Sequence, residues 1–523
     1  MRTWLILALL FTLGVAVNLH FGRRGFLPLD QSIVFDGGWR MLNGQMPFRD
    51  FTTPSAITPS AMQVPFFALF GVTWFALCLH AAVVNGLFCV AVYAFLRLSL
   101  ASVGEAAACG ALSAFFFYPP TGTPFTDQHS FFFTMLMFLA VAVGSRDVVP
   151  WRARLAWFVV PALFTLGLLS CQIPTAFAAL CVALWVFANP RRAPQWMTAL
   201  AAGTLAVVVG LGLLALVTGL DLRAAFAHVI AAPFQQGSAR TPTPGILSPV
   251  RMVAGTVRRL PGWAHLWSLN LAIGSIVLVP FTVKRNAAWT FHLWALAALI
   301  VSTAGFVAYS KTPIEAGLGL AMAIAGTGAI VIRHALTNRR WQAVALAVVA
   351  IAVGRDTVRF IRLVDVPGTV HKEFDPRAAD AAEGHLPDGL AFMRWSRGAS
   401  HYEPEEMSAL VRYLRDADGD FLLIGDSTVL YGLTGKVSPI RALWLDPGLT
   451  FPAADSREFS SFEADLIARV RDFGVRRIVL EGPRTWGGVS LNDFPRLKQL
   501  AAARGCGEKT FGDVRVLEMC SDL

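Results

Sequence analysis

The sequence predicts a polytopic α-helical membrane protein of about 11 spans with a small C-terminal extracytoplasmic α/β domain. Three observations predict it. Apolar runs of membrane-crossing length recur from Trp4 to about Val364. Hydrophobic residues make up 55% of the 523 positions against 15% charged, with a mean hydropathy of +0.56. The acids are segregated, with nine of 34 before residue 365 and 25 in the last 159 residues. The first 364 residues therefore carry a net +16 and the remainder −6. This divides the chain into a transmembrane domain at 1–364, a linker at 365–375 and a soluble domain at 376–523. A single soluble domain is excluded, because too much apolar surface would face water. The pI of 9.6 does not point to nucleic acid, since the basic excess belongs to the membrane part.

Crossing about 30 Å of hydrocarbon takes roughly 20 mostly apolar residues. The expected span cores are 4–20, 73–96, 103–119, 130–144, 155–170, 173–188, 197–219, 266–283, 289–309, 314–332 and 341–358. Segment 58–71 is short and punctuated by proline, and reads as a partly embedded helix leading into the second span. The first segment has no small-residue cleavage site before Arg23 and Arg24, so it is expected to be retained. A cytoplasmic N-terminus puts Arg97, Arg146, Arg152, Arg154, Arg191, Arg192, Lys284, Arg285, Arg333, Arg339 and Arg340 in inside loops, as the positive-inside rule requires. Segments 21–57, 120–129, 220–265 and 310–313 and the C-terminal domain then lie outside. Five of the seven cysteines sit in apolar helices as small buried side chains; Cys506 and Cys520 are the C-terminal pair that an oxidising compartment would allow to bond.

The first outer segment is the most informative. From Leu29 to Phe51, apolar Ile33, Val34, Met41 and Leu42 with small Gly37 and Gly38 form one helical face, and Asp36 and Arg40 another. This suits a helix along the membrane surface, starting at Asp30 after Pro28 and ending at Asn43-Gly44. Each acid also has an ordinary role open to it: Asp30 as N-cap, Asp36 as partner of Arg40, Asp50 as a turn cap. Three of nine scarce acids in one outer loop at the lipid boundary nonetheless favour a function, because acids at that depth are costly. The second outer cluster runs from Tyr118 to His129 and contains Asp127, either the N-cap of the next span or a functional acid. Lys311 lies in a third outer turn, where it either snorkels or binds an anion. Loop 220–265 holds six basic or histidine side chains, Arg258 and Arg259 among them, against Asp221; its Phe226, Val229, Ile230 and Phe234 suit an interfacial helix.

A first span followed by an outer Asp, an amphipathic helix ending in an Arg-x-x-x-Gly segment, the Pro47-Phe48-Arg49-Asp50-Phe51 turn, Phe70-Gly71 and an acid after the third span resembles the GT-C class of polytopic glycosyltransferases. These are the bacterial relatives of the dolichyl-phosphate-mannose protein mannosyltransferases and lipid A aminoarabinose transferases. The resemblance covers residues 1 to about 364, with its specific motifs at 29–71 and 118–129. It implies that Asp30 is the catalytic base and Asp127 the second acidic position. It also implies a polyprenyl-phosphate sugar donor, a glycan, lipid or protein acceptor, inversion at the anomeric carbon, and an active site on the periplasmic side of a bacterial inner membrane. The expected substrate-binding set is Asp36, Arg40, Arg49, Asp50, His129, Gln172, Lys311, Arg258 and Arg259. The chain departs from the pattern in Gln31, where many relatives carry a second acid, and in Cys171-Gln172, where relatives often have Lys-Gln. No adjacent acidic pair therefore supports a divalent metal, and Lys311 or an arginine takes over the phosphate role.

The chemistry fits these residue types. Transfer from a lipid phosphate needs one base near the acceptor hydroxyl, and inversion needs only that one carboxylate. The departing phosphate gains charge, so preorganised Arg or Lys is its natural partner. The alternative from another class is a transporter or flippase of a lipid-linked glycan; it should show repeated spans and midplane charges, and the sequence shows neither. In the C-terminal domain, Asp420–Gly425 and Val475–Glu481 read as strands flanking a helix at Phe462–Phe473, with a further strand or hairpin at 511–519. Gly425-Asp426-Ser427 invites an esterase reading, but such a serine needs a later histidine and the last histidine is His401.

Overall fold

A computed structural model describes residues 2–23, 28–119, 121–146, 149–232, 287–309, 319–336, 338–365, 385–395, 402–482 and 488–520. The membrane part comprises α1 (Arg2–Gly22), α2 (Pro28–Leu42), α3 (Ile57–Phe70), α4 (Trp74–Leu98), α5 (Val103–Phe116), α6 (Thr126–Arg146), α7 (Pro150–Ser170), α8 (Gln172–Phe187), α9 (Ala193–Thr218), the short α10 (Leu222–Phe226), α11 (Ala287–Tyr309), α12 (Ala321–Ala335) and α13 (Arg339–Asp365). Every expected span within the described residues coincides with a helix, while 266–283 lies outside them. Six described helices, α1, α4, α6, α7, α9 and α13, are long and apolar enough to cross a membrane; the remaining apolar helices are shorter. The chain is a multi-pass membrane protein.

Burial sorts these helices. α6 is enclosed by α4, α7 and α8, with Phe131, Met135 and Phe138 in the central cluster. α9 packs mainly on α7 and exposes Leu205, Val208 and Leu216 along its length, the surface expected of a helix facing lipid chains. Capping sets several ends. Ser102 and Glu105 form a capping box at the start of α5, and the Thr73 side chain accepts from Ala76 N at the start of α4.

The C-terminal part holds a four-stranded sheet of order β1-β2-β4-β3, with β1 (Asp420–Ile424), β2 (Val475–Leu480), β3 (Gly505–Phe511) and β4 (Val514–Met519). β1 and β2 are parallel; β2–β4 and β3–β4 are antiparallel. Helices α14 (Pro404–Asp416), α15 (Val429–Thr434), α16 (Phe459–Asp472) and α17 (Pro495–Arg504) accompany it. The helix between the parallel strands is the crossover such a pair requires. The expected hairpin is present, but its first strand begins at Gly505. Cys506 and Cys520 are bonded, with Cα atoms 5.7 Å apart.

Two expectations about α2 need correction. The helix starts at Pro28, so Asp30 lies in its first turn and is not its cap; proline is well suited to that first position, where no N–H is needed. Nor does α2 lie on the membrane with a polar face in water. It is buried on both sides, from Gln31 through Gly38. On one side Gly37 and Gly38 let α3 approach so closely that a Cβ would collide with Ser60 and Gln63. On the other, Val34 and Phe35 share one hydrophobic cluster with Leu430 and Tyr431 of α15 and with Trp74 of α4. Each such side chain contributes about 1.5–3 kcal/mol by leaving water, so the sheet domain and membrane part form a joint core.

Candidate active site

One end of the bundle gathers the acids singled out by the sequence, and the structure sorts them. Asp36 and Arg40 are one helical turn apart and both almost fully buried. Arg40 Nε donates to Asp36 Oδ2 at 2.8 Å, while Nη1 donates to the Ile440 carbonyl at 2.8 Å. Its guanidinium also lies 5.3 Å from the Phe51 ring centre. Burial pushes the Asp36 carboxyl up to about 6, a rise that Arg40 offsets only in part. These two residues fasten α2 to the sheet domain. Thr52 N donating to the Arg441 carbonyl, Leu443 N to the Thr52 carbonyl and Trp39 Nε1 to the Lys436 carbonyl extend that seam.

Arg49 and Asp50 form the second pair, with Nη2 to Oδ2 at 2.6 Å. Arg49 also donates from Nη1 to the Thr218 carbonyl and from Nη2 to the Gly44 carbonyl, each at 2.8 Å, and Asp50 accepts from Met46 N. Arg49, expected among the substrate-binding residues, is engaged here in a local pair. The fork ties the 44–51 turn to the end of α9, and Gly44 takes the positive φ of 80° that closes α2.

Asp30 and Asp127 occupy equivalent positions, each in the first turn of a helix whose N-terminus favours a carboxylate. The two turns are joined: Gln31 Nε2 donates to the Thr121 carbonyl at 3.1 Å, in the loop that leads into α6. Asn18 of α1 holds the same loop by donating to the Gly122 carbonyl. Asp30 is partly exposed and Asp127 is buried. Ser130, in the same helix as Asp127, donates from Oγ to the Cys171 carbonyl at 2.8 Å, which ties the start of α8 to that of α6. Gln172, beside Cys171, donates to the Pro54 carbonyl at 2.6 Å and the Val229 carbonyl at 2.9 Å, clipping α8 to the approach of α3 and to the 227–231 turn. That segment follows α10, and its Val229 is buried. Lys311, Arg258 and Arg259 lie outside the described residues.

His129 belongs to a network that the sequence did not reveal. Its Nδ1 lies 2.5 Å from the Tyr118 hydroxyl, its Nε2 lies 3.0 Å from His80 Nε2, and His80 Nδ1 lies 3.0 Å from Gln63 Oε1. One ring nitrogen of the histidine pair donates and the other accepts, so the chain runs from the loop before α6 to α3. The legible signal was His80 itself, a histidine in an otherwise apolar span.

In the sheet domain, the Gly425-Asp426-Ser427 turn is occupied from within. Asp426 N and Ser427 N both donate to Glu481 Oε2, and the Tyr402 hydroxyl donates to Oε1 at 2.5 Å. An esterase would offer such amides to its substrate; here a carboxylate of the chain fills them. Among the described residues, no group of three or more His, Cys, Asp or Glu is arranged to hold a metal.

Comparison with solved structures decides the fold. The crystal structure of ArnT from Cupriavidus metallidurans bound to undecaprenyl phosphate superposes with a TM-score of 0.50 at 10% identity, covering 99% of this chain and 97% of that one. The chain has the GT-C fold. ArnT from the same organism in the apo state gives a TM-score of 0.40 at 11% identity, over 99% of this chain and 98% of the other. The Archaeoglobus fulgidus oligosaccharyltransferase complex with zinc and sulfate gives 0.46 at 12% identity, over 90% of this chain and 67% of that one. No family model and no curated protein matches the chain.

Proposed function

We propose that this protein is an inverting glycosyltransferase that moves a sugar from a polyprenyl-phosphate carrier to an extracytoplasmic acceptor. The observation that carries the reading is the pairing of Asp30 and Asp127 at two joined helix starts, within a fold shared with a protein crystallised with undecaprenyl phosphate. The other outer acids are already committed, Asp36 to Arg40 and Asp50 to Arg49 and Met46 N.

In this mechanism Asp30, the more exposed acid, accepts the proton of the acceptor hydroxyl as its oxygen attacks the anomeric carbon. The bond from that carbon to the phosphate oxygen breaks with inversion, and the carrier leaves as polyprenyl phosphate. Asp127, buried in the first turn of α6, orients the sugar. Lys311, Arg258 and Arg259 neutralise the charge that grows on the phosphate. Arg49, engaged by Asp50 and the Gly44 carbonyl, shapes the 44–51 turn. The two acids and the sheet domain face the periplasm of a bacterial inner membrane, and the acceptor is a glycan, lipid or protein.

The test is Asp30→Asn. The side chain keeps its size and its place in the first turn, so folding and binding of undecaprenyl phosphate by the purified protein are expected to persist. Transfer to the cellular acceptor should fall by about 10²-fold or more. Near-normal transfer would remove Asp30 from the role, and the same measurement on Asp127→Asn ranks the two acids.

A further inference from the structure

The last turn of α6 opens on a second polar site. Asp127 and Arg146 stand in the first and last turns of one 21-residue helix, about 30 Å apart at 1.5 Å per residue, which is the thickness of the hydrocarbon layer. At the Arg146 end, α6, α8, the 188–192 loop and α11 border an open cleft of about 540 Å³ lined by Arg146, Arg191 and Arg192, with Trp185, Ser145 and Phe291 among its walls. Among the described residues, no acidic one lines it. A volume of this size is that of an ordinary ligand site.

Two of the three arginines are held by backbone carbonyls. Trp185 Nε1 donates to Ser145 Oγ at 3.0 Å, and Arg192 Nη1 donates to the Ser145 carbonyl at 2.9 Å. Arg146 donates to the Leu98 carbonyl and lies 5.5 Å from the Phe291 ring centre. Arg191 enters no hydrogen bond or ion pair with another described residue. Each guanidinium has five N–H donors, so these contacts fix Arg146 and Arg192 and, among the described residues, leave most of their donors unused. Topology alone explains why a loop on this face carries positive charge. It does not explain three arginines converging on one cavity with two aromatic walls and a serine that orients them.

We propose that this cleft is a binding site for a phosphate-bearing anion on the membrane face opposite Asp30 and Asp127. Arginine forks match phosphate oxygens in geometry as well as charge, and the aromatic walls suit the glycerol and first methylenes of a phospholipid. A lipid headgroup and a free phosphate share this chemistry, and the experiment separates them.

The purified full-length protein in detergent is titrated with phosphatidylglycerol, with diacylglycerol of the same chains, and with inorganic phosphate, and bound ligand is counted by native mass spectrometry. The wild type should retain phosphatidylglycerol and not diacylglycerol. The Arg191→Gln/Arg192→Gln variant should bind it at least about tenfold more weakly, as expected when charge-assisted contacts are lost. Competition by millimolar inorganic phosphate assigns the cleft to a soluble phosphate, and its absence assigns it to the lipid. Arg152→Gln, an arginine stacked on Trp151 and outside the cleft, should leave retention unchanged. If the double variant unfolds, Arg191→Gln alone breaks no contact and should still weaken binding. Equal retention by wild type and cleft variants, equal retention of diacylglycerol, or an equal loss in Arg152→Gln would overturn the proposal.

Discussion

The two faces of the membrane part use arginine in opposite ways. On the acidic face, Arg40 is directed to Asp36 and to carbonyls of the sheet domain, and Arg49 to Asp50, Gly44 and Thr218. These side chains are fasteners: they tie α2, the 44–51 turn and α9 to one another and to residues some 400 positions away. On the opposite face Arg333 is paired with Glu105, and Arg146 and Arg192 each give one donor to a carbonyl, yet Arg191 is held by no described neighbour and all three border open space. A guanidinium whose donors end on its own chain builds the fold, and one whose donors end in a cavity is available to a ligand. Position on a loop does not tell the two apart, whereas the direction of the N–H groups does.

Breaking the fasteners should have the largest effect. Asp36→Ala leaves the Arg40 charge buried without its carboxylate and should destabilise the docked protein by about 3–5 kcal/mol. Thermal unfolding in detergent reads this, and a loss below about 1 kcal/mol would mean that the pair is incidental. Arg49→Ala removes a pair that is 41% and 29% exposed on its two sides. Such pairs contribute about 0–1 kcal/mol, so a small shift with unchanged affinity for undecaprenyl phosphate is expected, and a large affinity loss would return Arg49 to the donor site. Arg191→Gln, on the other face, should stay within about 0.5 kcal/mol of wild type in stability. A larger loss there would erase the contrast between the faces.

The same comparison can be sharpened by pH. The Asp36 carboxyl is raised from 3.8 to about 6, chiefly by burial. The folded chain thus binds this proton more tightly than the unfolded chain. Its contribution to stability is complete below about 3.8 and is lost as pH rises through about 6. Asp36→Asn cannot ionise, so between pH 4.5 and 7 the unfolding temperature of the wild type should fall relative to that of the variant. Parallel curves would show that Asp36 ionises as freely in the fold as outside it.

Much of this architecture was legible in the chain. Helical spans declare themselves because lipid demands long apolar runs, and α2 ended at Asn43-Gly44 as its residue types require. β1 and β2 were legible as short apolar runs. β3 was not: Gly-Cys-Gly-Glu-Lys-Thr-Phe is an exposed strand paired only to β4, without the alternation that marks a half-buried one. The start of α2 shifted by two residues because proline opens a helix as readily as an acid caps it. What periodicity could not supply was partners. It separated the apolar face of α2 from Asp36 and Arg40, but the cover over that polar face comes from residues 438–443, and no local pattern announces a contact so distant. Likewise His80 and His129 were each visible, while their 3.0 Å contact across 49 residues was not.

The seam between α2 and the sheet domain also sets a clock. Trp39 and its acceptor, the Lys436 carbonyl, are separated by 397 residues. At the 5–20 residues per second of ribosomal synthesis, about 20–80 s pass between them. α3 is made at once, so the Gly37–Gly38 side of α2 closes early. The Phe35 side and the buried Arg40 wait for α15 and the loop after it. During that interval an apolar stripe and a charge meant for burial stand at the membrane surface without cover. Early termination, or a slow passage through the last strands, would leave each copy in that half-sealed state, where a membrane-associated chaperone or protease meets α2 before its own C-terminal domain does.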